Sequence, residues 1–561
     1  MARTIKNDLV IVLSGEAGQG IQSIEGILTL LLKRSGYNVF SASEFMSRVR
    51  GGCNSTEIRI SSKPAAGYID RIDILIPLHN DAVEHLKKRI TSETIVIGDK
   101  SKINYDGIID IQFNKIAIDA GNALVSNTVA AGFICGLLSL DINECESFIV
   151  RHFSNKNETI RKQNQDAMKR GYEAGRTISS VNISIEKDMS VKTDLMLSGA
   201  ESVALGALAG GCNYVCGYPM SPSTSVLEKM AAYSRKFDII VEQVEDEVGV
   251  VNMALGAWYA GARALVTTSG GGFALMCEGI SLCGMIESPL VLHLAQRPGP
   301  ATGLPTRTEQ GDLNLVLYAG HGDFPRIILA PGTLEDGYML TKNAFELSDK
   351  FQTPVFILTD QFFIDSRNNT PEFTVTESPL NRFIKTDSNY KRFAFSDSGI
   401  SPRGIPGYGA GAVCVDSDEH DESGHITEDL DLRIRMVDKR LKKEVAILRE
   451  ALEPRLNGGS NYKTLIICWG STFGTVNEAV EMLDSKDVSV LHYSWIYPLP
   501  VSTIDYLKKA ANVIVVENNA TAQFAKLIQL STGFIIKNRI LKYNGLPFSV
   551  EEIFENIKTM I

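Results

Sequence analysis

Three patches in the middle of the chain hold residue types that chemistry needs. Gly217-Tyr-Pro-Met-Ser-Pro-Ser-Thr224 and Gln296-Arg-Pro-Gly-Pro-Ala-Thr-Gly-Leu-Pro-Thr-Arg-Thr-Glu-Gln-Gly-Asp312 are too rich in glycine, proline and hydroxyls to continue as strand or helix. Each follows a short apolar run that reads as a strand. Between them, Glu245-Asp-Glu247 sits at another strand-to-helix junction. Loops at the carboxyl ends of parallel strands are where α/β proteins bind ligands. The planar guanidinium of Arg297 suits a carboxylate, which it can hold through two hydrogen bonds. The hydroxyls of Thr302 and Thr306 can serve a second one. An acid beside such a loop suggests a site for a cofactor and a small anion. Each residue also has a plainer role. Glu247 would favour a helix dipole, Ser221 lies in a turn between prolines, and Arg307 could pair with Glu309 or Asp312.

The elements that must position these patches follow from periodicity. Residues 1–185 read as an α/β domain, with a strand at 9–13, a tight Gly15-Glu-Ala-Gly-Gln-Gly20 turn and an amphipathic helix over 21–33. Further strands are expected at 72–77, 94–98 and 107–111, and a helix at 122–139. Residues 191–375 alternate strands at 239–244, 264–268, 290–295, 326–330 and 355–359 with helical stretches. That order predicts a mostly parallel sheet. Residues 376–462 form a linker with loops and a long charged helix that Thr427 could cap. Residues 463–561 return to strand–helix alternation. The expected class is α/β, with several doubly wound parallel-sheet domains.

Composition narrows the partners. A length of 561 residues suggests roughly three to four domains. The net charge of -10 argues against nucleic acid. No apolar stretch approaches the ~20 residues of a membrane helix. The apolar run at 9–13 is too short for a signal peptide, so a cytoplasmic protein is expected. The nine cysteines contain no Cys-x-x-Cys pair and match no ferredoxin-type motif, so any iron–sulfur cluster should sit on another chain. The acidic run Asp416-Ser-Asp-Glu-His-Asp-Glu422 reads as a solvated loop rather than a metal site. No metal site is expected on this chain.

The two long loops resemble those of the 2-oxoacid:ferredoxin oxidoreductase alpha subunits. Tyr218-Pro-Met-Ser-Pro222 is similar to that family's Tyr-Pro-Ile-Thr-Pro motif, and residues 297–312 are similar to its substrate loop. Residues 1–185 resemble the family's gamma subunit fused in front, and Arg48-Val-Arg-Gly-Gly-Cys53 adds to that likeness. The last domain resembles the C-terminal domain of transketolase-type enzymes.

The resemblance implies roles. Glu247 would bond a ring nitrogen of thiamine diphosphate and favour the tautomer that activates it. Ser221, where the family usually has threonine, would place a hydroxyl near the reacting carbon. Arg297, Thr302 and Thr306 would hold the 2-oxoacid carboxylates. Tyr218, Pro219 and the Ser269-Gly-Gly-Gly272 turn, through Gly270 and Gly271, would flank the cofactor. Gly271 replaces the proline of the family's Ser-Gly-Pro-Gly. Gly15, Gly18 and Gly20 could cradle a phosphate of coenzyme A or a nucleotide, although a structural turn explains them as well.

No Gly-Asp-Gly occurs, the motif by which thiamine enzymes hold the diphosphate and Mg²⁺. The resemblance therefore implies a beta-type partner carrying that half-site, Mg²⁺ and a [4Fe-4S] cluster. It also implies ferredoxin as electron acceptor and a dimer of heterodimers. The expected reaction converts 2-oxoglutarate and coenzyme A to succinyl-CoA and CO₂, reversibly. Three alternatives stay open at this point. The same enzyme class could act on pyruvate, branched-chain or aryl 2-oxoacids. An NAD(P) dehydrogenase could use the Gly15 loop, whose glycine spacing is the reverse of the dinucleotide fingerprint. The chain could also be a non-catalytic scaffold.

Overall fold

Strands form where apolar residues run together, and they lie parallel where both faces are covered. In the strands Leu290–Gln296 and Pro354–Asp360 every residue is buried, as expected of a sheet with helices on both faces. The computed structural model describes residues 3–16, 20–46, 52–375 and 380–561. Gly18 and residues 48–51 of the basic Arg48–Cys53 segment lie outside them. Contacts divide the chain into two units, Met1–Leu197 with Ser366–Glu372, and Ser198–Asp365 with Phe373–Ile561.

The first unit is built on an eight-stranded mixed sheet. Ile109–Asp110, Ile95–Gly98, Ile74–Pro77 and Asp8–Glu16 run parallel on one side. Cys53–Ser61 and Asn38–Glu44 follow, each antiparallel to its neighbour. These last two were not legible in the sequence, because buried polar residues break their apolar pattern. Arg59 pairs with Asp8 at 2.6 Å and Glu57 with Arg89 at 2.6 Å. Arg367–Thr370, far along the chain, adds a further antiparallel strand beside Asn38–Glu44. The central strand runs through Gly15 to Glu16, so Gly15 is a ladder residue opposite Asn54 and not part of a turn. Extending the ladder satisfies its backbone groups. Behind the sheet, the helices Ser126–Leu137 and Glu158–Arg176 touch backbone to backbone. A Cβ on Gly132 would strike the carbonyl of Met168, and one on Gly171 would strike that of Val129.

The second unit holds a seven-stranded sheet in the order Ile240–Gln243, Tyr214–Gly217, Ala264–Thr268, Leu290–Gln296, Pro354–Asp360, Ile327–Leu329 and Trp495–Tyr497. The first six strands are parallel and the last is antiparallel. His293 is fully buried at its centre, between the hydroxyls of Thr267 at 2.9 Å and Thr359 at 2.8 Å. Burial pushes the imidazole down to about 3, so it stays neutral. A five-stranded sheet follows, with Thr464–Trp469 at its centre and Arg455–Asn457 antiparallel on one edge.

The long helix Leu430–Glu450 begins one residue pair later than expected. Its cap is Asp429, whose side chain accepts from Asp431 and Leu432, while Thr427 accepts from Asp429. Lys439 and Lys443 on this helix reach the buried Glu287 at 2.6 and 2.5 Å. The acidic run before it is not simply solvated. Glu419 pairs with Arg440 at 2.9 Å and also with Arg433, and His420 is buried against the ring of Phe393. All nine cysteines are free thiols and seven are buried, where they pack as small hydrophobes. Among the described residues, no helix is long and apolar enough to cross a membrane.

Candidate functional site

Four loops leave the carboxyl ends of four adjacent parallel strands. They follow Ile240–Gln243, Tyr214–Gly217, Ala264–Thr268 and Leu290–Gln296, and carry Glu247, Ser221, the Ser269–Gly272 turn and the Arg297 loop respectively. The sheet order makes neighbours of patches spread over nearly a hundred residues of sequence, at the edge where α/β sheets bind ligands.

Glu247 opens the helix Glu247–Tyr259, behind Asp246, whose carboxylate caps it by accepting from Gly249 at 2.6 Å. That cap leaves the Glu247 side chain free for other work. Glu247 is 4% exposed, whereas Glu245 is exposed. Its Oε1 is shielded from solvent and has no hydrogen-bond partner. A buried carboxylate oxygen without a donor is costly, so the position is suited to a ligand that brings one.

The glycine turn is shaped around two acids. A Cβ on Gly272 would lie 2.5 Å from Glu247 Oε1, and one on Gly270 would lie 2.5 Å from Asp312 Oδ2. Gly271 between them has space, its nearest neighbour being Ala301 O at 3.9 Å from a built Cβ. Gly270 to Gly272 are the first turn of the helix Gly270–Leu275, with Ser269 in its cap position, rather than a strand-to-helix loop, and they present bare backbone with a carboxyl at each end.

Arg297 is half-buried and donates from Nη1 to the carbonyl of Ser221 at 2.7 Å, which joins the two long loops. Burial lowers its pKa, and Asp312 opposes that. Tyr218, Ser221 and Thr302 are exposed, while Pro219 and Thr306 are half-buried. The structure therefore gathers Glu247, Ser221, Arg297, Gly270 and Gly271 at one sheet edge. Gly15 and Gly20 belong to the other unit. Gly20 begins the helix Ile21–Arg34 with a φ of 73°, and a Cβ there would run into Asn127.

Residue reasoning missed what holds the Arg297 loop. Gln310 is fully buried and donates from Nε2 to the carbonyl of Trp469 at 2.8 Å. Gln523 donates to Gly311 O at 2.8 Å and accepts from Asn314 N at 2.8 Å. Thr308 N donates to Gly545 O at 3.2 Å. A glutamine in a glycine-rich loop carries no local sign of such a role.

A carboxylate at a helix start beside a glycine turn, on the carboxyl edge of a parallel sheet, is consistent with cofactor-dependent chemistry. Residues 205–439 match the family model described as pyruvate flavodoxin/ferredoxin oxidoreductase, thiamine diphosphate-binding. Residues 10–174 match that of pyruvate ferredoxin/flavodoxin oxidoreductase. The 2-oxoacid:ferredoxin oxidoreductase subunit alpha of a Sulfolobus species is 31% identical, over 98% of this chain and 96% of its own. The 2-oxoglutarate synthase subunit KorA of Archaeoglobus fulgidus is 32% identical over 64% of this chain and 98% of its own. The solved 2-oxoglutarate:ferredoxin oxidoreductase of Magnetococcus marinus, with 2-oxoglutarate, coenzyme A and succinyl-CoA bound, superposes with a TM-score of 0.91. It is 28% identical, covering 99% of this chain and 100% of that one. The chain carries a thiamine diphosphate-binding oxidoreductase domain. It belongs to the alpha subunits of the 2-oxoacid:ferredoxin oxidoreductases.

Proposed function

We propose that this chain is the fused gamma–alpha subunit of an enzyme that oxidatively decarboxylates 2-oxoglutarate. With coenzyme A and oxidised ferredoxin it yields succinyl-CoA, CO₂ and reduced ferredoxin. The observation that carries the choice of substrate is the loop of residues 297–312. Arg297, Thr302, Thr306 and Arg307 lie within eleven positions, more donors than a monocarboxylate needs. The Magnetococcus relative, similar over its whole length, holds 2-oxoglutarate.

Thiamine diphosphate fits the residues present. The unpartnered Oε1 of Glu247 supplies an acceptor for a ring N–H, and the bare Gly270–Gly271 backbone leaves room for a planar ring. When bound, the cofactor supplies the carbanion chemistry. Glu247 would accept a hydrogen bond from the ring N–H, Arg297, Thr302 and Thr306 would orient the acid, Ser221 would offer its hydroxyl to the substrate, and Tyr218 and Pro219 would flank the cofactor.

A beta-type partner completes the site. It brings the diphosphate and Mg²⁺ ligands and the [4Fe-4S] cluster, in a dimer of heterodimers. The helix that starts with Glu247 supports this. Its outer face carries exposed Val248 and Met253, and Leu275 is exposed on a neighbouring helix. An apolar helix with an uncovered face suits a protein partner. In the first unit, residues 1–185 form the gamma-type domain, and Gly20 lies in the loop assigned to a phosphate of coenzyme A. The pyrimidine-binding domain lies within 191–375, although residues 191–197 and 366–372 pack with the first unit, and a transketolase-like domain spans 463–561 after the 376–462 linker. The assembly works in the cytoplasm.

The test is purification of the tagged chain from its native cells without oxygen. The eluate is then assayed for dye reduction dependent on 2-oxoglutarate and coenzyme A. Glu247→Gln should abolish that activity and weaken thiamine diphosphate binding while leaving the melting temperature unchanged. A clear preference for an aliphatic or aryl 2-oxoacid would overturn the choice of substrate, and full activity in Glu247→Gln would overturn the enzyme reading.

A further inference from the structure

Asp312 occupies the cap position of the short helix Leu313–Leu317, yet its side chain makes no capping bond. Aspartate in that position ordinarily accepts from the helix start. Here the carboxyl is turned against Gly270 instead, and Oδ2 is shielded from solvent with no hydrogen-bond partner. The backbone is held firmly, since Asp312 N donates to Gln296 Oε1 at 3.0 Å. Two charged groups act on the carboxyl, and a third lies two glycines away. Arg297, at the end of the Leu290–Gln296 strand, attracts it electrostatically without forming an ion pair with it. Glu309, in the same loop, repels it. Glu247 stands at the other end of the glycine turn. Arg297 in turn has a shielded Nε with no partner. A cation and an acid at the two ends of one loop thus feel each other, each with a shielded polar atom that has no partner.

We infer that Asp312 is a positioning residue that competes with the substrate's carboxylate for Arg297. The neutral carboxyl leaves Arg297 available to a 2-oxoacid, and the ionised one weakens that grip. This rests on the substrate role proposed for Arg297. Burial, with Glu309 adding to it and Arg297 opposing, pushes the Asp312 carboxyl up to about 7. The competition therefore switches on as pH rises through neutrality. The substrate does not titrate there, because ordinary carboxyls lose their protons at about 4.

The experiment is the pH profile of KM and kcat for 2-oxoglutarate in the assembled enzyme, for the parent and Asp312→Asn. KM of the parent should rise about fivefold between about pH 6 and 8. Asp312→Asn, which is isosteric, should hold a low KM across that range. Asp312→Ser should do the same, and it serves if the amide variant does not assemble. A flat parent KM, or the parent's slope retained in an assembled Asp312 variant, overturns the inference. Arg297→Gln separates the two claims. An unchanged KM there defeats the substrate role of Arg297 itself. A large loss there, beside an unaltered slope in Asp312→Asn, defeats only the competition.

Discussion

Gln310 and Asn518 hold each other through a reciprocal pair of hydrogen bonds. The backbone N–H of Gln310 donates to the carbonyl of Asn518 at 2.7 Å, and the N–H of Asn518 donates to Gln310 Oε1 at 3.0 Å. With Nε2 bonded to Trp469 O, the buried amide uses both its ends. The Arg297 loop is thereby suspended from the five-stranded sheet. Gln310→Ala removes both side-chain bonds and leaves the buried Asn518 N–H without its acceptor, while the Trp469 carbonyl keeps the Thr472 hydroxyl at 2.8 Å. It should cost about 2–4 kcal/mol and raise KM for the 2-oxoacid. Thermal unfolding and steady-state kinetics check this, and an unchanged KM would show that the loop is placed by something else.

Two adjacent glycines at the start of the helix Gly270–Leu275 should tolerate substitution differently. Gly272→Ala sets a methyl 2.5 Å from Glu247 Oε1 and in collision with Thr268 Oγ1. Displacing that carboxylate should lower kcat at least about a hundredfold, the typical worth of a positioned proton-transfer group. Gly271→Ala meets nothing closer than 3.9 Å, so the fold should be unperturbed and any effect should show in thiamine diphosphate affinity. Comparing melting temperature, cofactor titration and rate for both variants decides it.

Glu287 should give the fold an acid-sensitive anchor. Burial opposes its ionisation, but Lys443, Lys439 and Arg392 prevail and hold the carboxyl well below the usual range. A depressed carboxyl contributes stability that is present above its unfolded value of about 4.3 and is lost as pH falls through the folded one. Stability should therefore decline with acid below about pH 5, less steeply in Glu287→Gln. At neutral pH that variant leaves two buried ammonium groups uncompensated and should cost about 3–5 kcal/mol. Denaturant unfolding from neutral to acidic pH measures both effects.

The glycine contacts in the first unit predict a contrast within one unit. Gly132→Ala drives a methyl into the Met168 carbonyl and should destabilise by about 3 kcal/mol. Gly26→Ala, within the helix Ile21–Arg34, meets nothing within 4 Å and should stabilise by about 0.5–1 kcal/mol. Melting temperatures of the full chain should move in opposite directions. A melting temperature of Gly132→Ala close to the parent's would mean that the backbone contact between the two helices yields.

By itself the sequence determined what depends on chain neighbours. Apolar runs ending in glycine, proline and hydroxyls located the strands of the second unit and the loops after them, because strand periodicity and turn chemistry are local. The absence of Gly-Asp-Gly and of clustered cysteines likewise needed no fold to be read. The strands Cys53–Ser61 and Asn38–Glu44 of the first unit were hidden, because Arg59 and Glu57 become acceptable inside only once Asp8 and Arg89 meet them. Gly15 looked like a turn until Asn54 paired with it. Only the tertiary structure decided that Glu247 is buried while Glu245 is exposed, and that Asp312 turns to Gly270 instead of capping its helix. It alone brought Gln310 to Asn518, 208 positions away. Contacts across such distances arise from packing the sheets together, and no residue's type or local spacing encodes which distant backbone will satisfy it.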